Sequence, residues 1–217
     1  MGSYEDEIKT KMDENSDLPE RLSISVLKYF WQASPLSRTK DNIIPKFLRS
    51  VHVLKNFSDN ELRILSNHLH LRSFENQETI FNQDQVGVGF YFIFSGNVEI
   101  YGTKIGENES GGAPGAVVKN GDKVHITTLE RNDYFGELAL LQEVNLRTAS
   151  AISRGASTLL GIFRPDMEEL IDHFPVVGAK LLQSISMILA NRMTAMSNEI
   201  RLLKYKFSRI EQNDKRN

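Results

Sequence analysis

The chain has 217 residues and a mass of 24.7 kDa, enough for one domain with appendages or two small ones. Its 26 basic and 28 acidic residues give a net charge of -2, so overall charge draws it towards neither nucleic acid nor an anionic membrane. The absence of cysteine excludes disulfides, zinc–thiolate sites, iron–sulfur clusters and cysteine nucleophiles, and fits a reducing, cytoplasmic address. The first twenty residues carry seven acids and no apolar run, which excludes a secretory signal, and no stretch approaches the ~20 consecutive apolar residues of a membrane span.

In chain order, positions 1–20 read as an acidic, loosely held arm. Leu22, Val26, Leu27, Phe30 and Trp31 predict a short amphipathic helix that stops near Ser34-Pro35. A second helical stretch is expected after Pro45, with Phe47, Leu48, Val51 and Leu54 on one face. Ser58, with Glu61 three positions on, predicts a capped start for a helix whose apolar positions are Leu62, Leu65 and Leu69. At Arg72 the period changes. Glu78–Phe81, Gly89–Phe94, Val98–Tyr101, Val124–Leu129 and Ala149–Ile152 read as short strands, with Ser95-Gly96-Asn97 as a tight hairpin turn. The Gly-rich stretch from Gly102 to Lys123 reads as a tolerated insertion, the alternative being a partner-binding loop. Roughly six to eight short strands in some ninety residues point to a small barrel or jelly roll.

After Pro165 helical periodicity returns and persists from Val176 to about Ile210. Within it Met193, Met196, Ile200, Leu203, Phe207 and Ile210 recur at spacings of three and four, a seam of about two and a half heptads. The seam either joins a second chain, giving a homodimer, or packs on the chain's own barrel.

The segment richest in chemistry is Phe135-Gly136-Glu137-Leu138-Ala139-Leu140-Leu141, followed by Arg147-Thr148-Ala149. A glycine opening a helical turn exposes backbone N–H groups and the positive end of their dipoles, a natural anion cradle. A guanidinium ten residues on can close over the same anion with two parallel hydrogen bonds. Glu137, an acceptor beside them, suits a sugar hydroxyl. Phosphate plus ribose satisfies all three groups.

In these residues, and in Leu62, Leu65, Phe74, Ile80, Phe81 and Tyr91–Val98 upstream, the chain resembles the cyclic nucleotide-binding domain shared by bacterial catabolite activator proteins, protein kinase A regulatory subunits and cyclic nucleotide-gated channels. The resemblance spans roughly Phe57 to Leu203. It implies an α+β fold: a β-jelly-roll (double-stranded β-helix) with N-terminal helices and a long C-terminal helix. The implied organisation is an acidic arm (1–20), N-terminal helices (21–56), the binding domain with its C-terminal lid or dimerisation helix (57–211) and a tail (212–217).

By position, the resemblance implies that Arg147 pairs with the exocyclic phosphate and Glu137 accepts the ribose 2′-hydroxyl. Gly136 and Ala139 offer backbone amides, Thr148 touches phosphate and base, and Leu138 and Ala149 complete the ligand-binding set. Leu146 replaces the family's usual proline and Asp84 a common glycine; aspartate tolerates a left-handed backbone, so that turn should survive. The implied function is an intracellular cAMP or cGMP receptor, with cAMP preferred, that passes ligand binding through helix movement to an unidentified effector protein. The alternative is an interaction or structural module that uses the fold without the ligand.

Bacterial activators continue past this helix into a helix-turn-helix, whereas only fourteen residues follow Leu203, so no DNA partner is expected. The basic residues Arg201, Lys204, Lys206, Arg209, Lys215 and Arg216 read as a solvated helix end, or as a counterpart to the acidic arm. No membrane partner, catalytic residue or metal is expected: the five histidines, His52, His68, His70, His125 and His173, show no ligand spacing.

Overall fold

The computed structural model describes residues 40–103, 123–141 and 146–214. The predicted acidic arm, the helix around Leu22–Trp31, most of the Gly102–Lys123 excursion and the end of the tail lie outside these residues. Within them, helix α1 (Lys40–Ser50) leads through a 3-10 turn (His52–Leu54) to α2 (Asp59–Asn67). Six strands follow: β1 (His70–Phe74), β2 (Thr79–Phe81), β3 (Gly89–Thr103), β4 (Lys123–Leu129), β5 (Tyr134–Phe135) and β6 (Ser150–Phe163). Helices α3 (Arg164–His173) and α4 (Pro175–Asp214) complete the described chain.

The start of α2 follows the sequence closely. Ser58 accepts the Glu61 amide in its side chain while the Glu61 carboxylate accepts the Ser58 amide, so two orphan helix donors are satisfied reciprocally. Helix α1 departs from expectation, beginning before Pro45 and carrying it inside. A proline there forgoes one backbone bond. Burial of Ile44, Phe47 and Leu48, all at most 3 % exposed, offsets that loss.

The strands form one antiparallel sheet in the order β1-β6-β3-β4, with β2 added to β6 and β5 to β3. Alternation along β3 explains its continuous apolar run. Phe90 and Phe92 join the cluster formed with the helices, while Tyr91, Ile93 and Val98 join a second cluster with Phe81, Phe135 and Phe163. A strand buried on both faces cannot show the polar–apolar alternation of a half-exposed one.

The predicted hairpin at Ser95-Gly96-Asn97 does not form: β3 is a single strand of 15 residues. Both of its halves pair with β6, Ile93 opposite Leu159 and Val98 opposite Ser153, and the register shifts around Gly96. Gly96 has φ +80°, and a Cβ there would run into the Ala156 carbonyl and the Ser157 side chain. The glycine therefore marks a bulge that bends the ribbon and does not reverse it. The same local signal serves either purpose, and pairing with β6 decides between them.

Helix α4 is continuous over 40 residues, as its periodicity predicts. Val177, Leu181, Ile185 and Ile188 are at most 3 % exposed and pack into the helical cluster. Ser184 Oγ donates to the Val53 carbonyl at 2.7 Å, and Lys180 Nζ reaches both Glu61 carboxylate oxygens at 2.7 Å. The heptad residues Met193 to Ile210 are 46–70 % exposed, so among the described residues that stripe does not pack on its own barrel. No described helix is long and apolar enough to cross a membrane.

Candidate functional site

Strand β5 ends at Phe135, and Gly136 takes φ +82°, a left-handed conformation that lets the chain enter a 3-10 turn over Glu137–Leu140. A Cβ at Gly136 would stand 2.6 Å from Arg147 Nη1 and 2.9 Å from the Gly89 carbonyl oxygen. Glycine is thus required here by both conformation and space. Inside the turn the Ala139 amide donates to the Gly136 carbonyl at 3.1 Å, and the Ala139 carbonyl accepts from Arg164 Nε at 2.9 Å. The second bond ties the turn to the start of α3.

Arg147 is 4 % exposed. Its Nη2 donates to the Gly89 carbonyl at 2.8 Å and its Nη1 to the Gly136 carbonyl at 3.1 Å. The guanidinium carbon lies 4.0 Å from the centre of the Phe81 ring, a cation–π contact that also holds the guanidinium plane. The backbone is fixed equally well: the Arg147 amide donates to the Gln85 carbonyl at 2.7 Å, and its carbonyl accepts from the Asp84 amide at 2.8 Å. Asp84 adopts φ +65°, the left-handed turn that its residue type tolerates. The turn survives the loss of glycine, and it positions the arginine.

Glu137 is 3 % exposed. Its Oε1 accepts a short hydrogen bond from Arg192 Nη1 on α4, while its Oε2 is buried without a hydrogen-bond partner among the described residues. Arg192 Nη2 also donates to the Tyr134 carbonyl at 3.3 Å. Burial holds the Tyr134 phenol above its ordinary pKa, so it stays neutral beside this pair. An orphaned, buried carboxylate oxygen is costly unless something donates to it.

These groups share a cavity of about 500 Å³. Gly136, Glu137, Leu138, Arg147, Thr148 and Ala149, all expected from the sequence, line it; Ala139 is fully buried and is not among its lining residues. Phe81, Ile100 and Leu129 supply apolar lining, and Arg192 and Met196 reach in from α4. Sequence reading left the helix contribution open. The only local signal was a long cation four residues before a seam methionine, and both belong to one helical face by the i, i+4 rule. A phosphate, a sugar hydroxyl and a flat apolar base would each meet matching chemistry in this cavity.

Of the histidines, His68 Nδ1 bonds the Ile64 carbonyl at 2.8 Å and His70 Nε2 bonds Asp166 Oδ1 at 2.9 Å. The first bond closes the end of α2, and the second ties β1 to α3. No cluster of metal-binding side chains occurs among the described residues.

An antiparallel sheet flanked by helices places a buried arginine and a buried glutamate in one cavity. Residues 71–174 match the family profile of the cyclic nucleotide-binding domain, so the chain contains a domain of that family. It is 27 % identical over 149 residues to the cyclic AMP receptor protein of Thermus thermophilus, covering 69 % of this chain and 60 % of that one. With the cAMP-dependent protein kinase regulatory subunit of Mycosarcoma maydis it shares 33 % identity over 112 residues, 52 % of this chain and 18 % of the relative. The crystal structure of the Thermus thermophilus catabolite activator protein superposes with a TM-score of 0.57 at 26 % identity, over 70 % of this chain and 62 % of that one. The chain thus spans less than two thirds of the length of these relatives.

Proposed function

We propose that the chain is a cytoplasmic cyclic nucleotide receptor, preferring cAMP, that passes ligand occupancy to a partner protein through α4. The observation that carries the reading is the buried, unpartnered Oε2 of Glu137 in the same cavity as the oriented guanidinium of Arg147. A ribose hydroxyl donates to the first, and an exocyclic phosphate is neutralised by the second. Two carbonyls and a ring face hold Arg147 before ligand arrives, so little ordering is left to binding. Gly136, Leu138, Thr148 and Ala149, which line the cavity, form the remainder of the binding set. The preference for cAMP rests on relatives named as a cyclic AMP receptor protein and a cAMP-dependent kinase subunit.

Transmission follows from the reach of α4. Arg192 holds one oxygen of the carboxylate whose other oxygen takes the sugar, and Met196 borders the same cavity. A ligand that binds one arrangement of these contacts better than another shifts the helix population towards it. The reading assigns no catalytic step to the chain and no metal to the site.

Isothermal titration with cAMP and cGMP tests it, beside Arg147→Ala with its fold checked by circular dichroism. Saturable heat is expected, stronger for cAMP, and the variant should lose about 2–5 kcal/mol of binding energy by leaving a phosphate charge unpaired. No heat from the folded native protein with either nucleotide at near-millimolar concentration overturns the reading and favours a ligand-independent interaction module.

A further inference from the structure

Within the receptor reading above, on which this step rests, we infer that Thr127 on β4 reads the polar edge of the base and that the scarcity of polar groups around it selects adenine over guanine. Five of the described side chains that line the cavity carry polar atoms: Thr127, Glu137, Arg147, Thr148 and Arg192. Arg147 is assigned to the phosphate, while Glu137 and Arg192 are bound to each other at the sugar position. Two threonines remain.

Their places in the chain separate them. Thr148 follows Arg147 directly, and a Cα spacing of ~3.8 Å keeps it at the anion end. Thr127 stands opposite Ile100 on β3, and Ile100 in turn stands opposite Ala151 on β6, the strand that the arginine segment enters. Two strand spacings of ~4.8 Å therefore divide Thr127 from that strand, a separation comparable with the length of a nucleotide from phosphate to base edge.

A break in regular strand geometry brings Thr127 to the cavity. Successive residues of a strand face opposite sides, yet Ile126 and Thr127 both line the cavity. The β3–β4 register shifts at this point: Ile100 pairs with Thr127 and the next residue, Tyr101, with His125, which leaves Ile126 as the extra residue of a bulge. Bulges beside binding sites re-aim side chains in this way. Thr128, which is not among the lining residues, shares a hydrogen bond of 3.0 Å with His125 Nε2 instead.

The surroundings set the preference. Ile100, Ile126 and Leu129, the other lining residues of β3 and β4, are apolar, so Thr127 offers the one hydroxyl on these strands that faces the cavity. That hydroxyl can donate or accept. The pairing edge of adenine carries an amine and a ring acceptor, whereas that of guanine carries a carbonyl, a ring N–H and an amine. A single hydroxyl leaves fewer of these unmatched in adenine, and each polar group removed from water without a partner weakens binding.

Isothermal titration of the full chain with cAMP, cGMP and the cyclic monophosphate of unsubstituted purine riboside, which lacks the exocyclic amine, tests the inference. Thr127→Val removes the hydroxyl, is nearly isosteric and suits a strand, so its circular dichroism should match that of the native protein. It should weaken cAMP about three- to tenfold, the range of a neutral hydrogen bond, and leave the purine analogue within about twofold. Thr127→Ser keeps the hydroxyl and should hold cAMP within about twofold. The native chain should bind cGMP at least about fivefold more weakly than cAMP. An unchanged cAMP affinity in Thr127→Val, an equal loss of cAMP and the purine analogue, a Thr127→Ser as weak as Thr127→Val, or native cGMP binding as tight as cAMP would each overturn the inference and leave the receptor reading standing. Failure of the folded native chain to bind any of the three nucleotides overturns both.

Discussion

The two halves of α4 have similar helical periodicity and opposite surroundings. From Val177 to Ile188 the apolar face is sealed mainly against α3, the 3-10 turn and α2; from Met193 onwards a comparable face meets solvent. The change falls at Arg192, which leaves the helical core and binds Glu137. Amphipathic spacing shows that a helix has a face to bury. It does not say which surface will receive that face. Here one helix serves two surfaces, its own core and the candidate site.

The largest test of this contrast is a matched pair of truncations. Leu181→Ala removes a side chain with no solvent exposure and should cost about 2–5 kcal/mol in urea unfolding. Ile200→Ala, at a site 51 % exposed, should stay within about 0.5 kcal/mol. Equal costs would break the comparison.

A smaller effect is expected at the junction. Arg192→Ala leaves the buried Glu137 carboxylate without its cation, and should destabilise the fold by about 1–2 kcal/mol, reduced from the cost of a fully buried pair because Arg192 is itself 47 % exposed. A loss no larger than that of Ile200→Ala would place Arg192 with the exposed half of the helix.

The smallest effect concerns the Lys180–Glu61 tie in the first half. Hydrogen bonding from Lys180 holds the Glu61 carboxyl below its ordinary pKa. Its stabilisation is therefore complete at neutral pH and disappears as acid takes the solution down through that lowered value. Glu61→Gln should flatten this part of the acid limb of the stability profile, while Lys204→Glu, in the exposed half, should leave that limb unchanged.

How much of this was legible depends on how far apart the interacting residues lie. The capping box of α2 joins Ser58 to Glu61, and the turn at Gly136 is contiguous with the glutamate it presents; such short-range chemistry can be read directly. Arg147 stands out as a candidate in the sequence because its guanidinium has few equivalents for an anion. Its Phe81 and Gly89 supports come from distant strands. The bulge at Gly96 was misread as a hairpin turn because a glycine between two apolar runs permits either, and only pairing with β6 chooses.

By itself, then, the sequence determined the elements and the chemistry of the binding segment, because caps, periodicity and the run from Gly136 to Ala149 are properties of neighbouring residues. Tertiary structure decided which strands continue, and which apolar faces are buried. It also brought α4 to the cavity: Arg192 meets Glu137 across 55 residues of chain. Packing makes such contacts between surfaces that no local pattern records, and it leaves the seam from Met193 to Ile210 exposed to solvent.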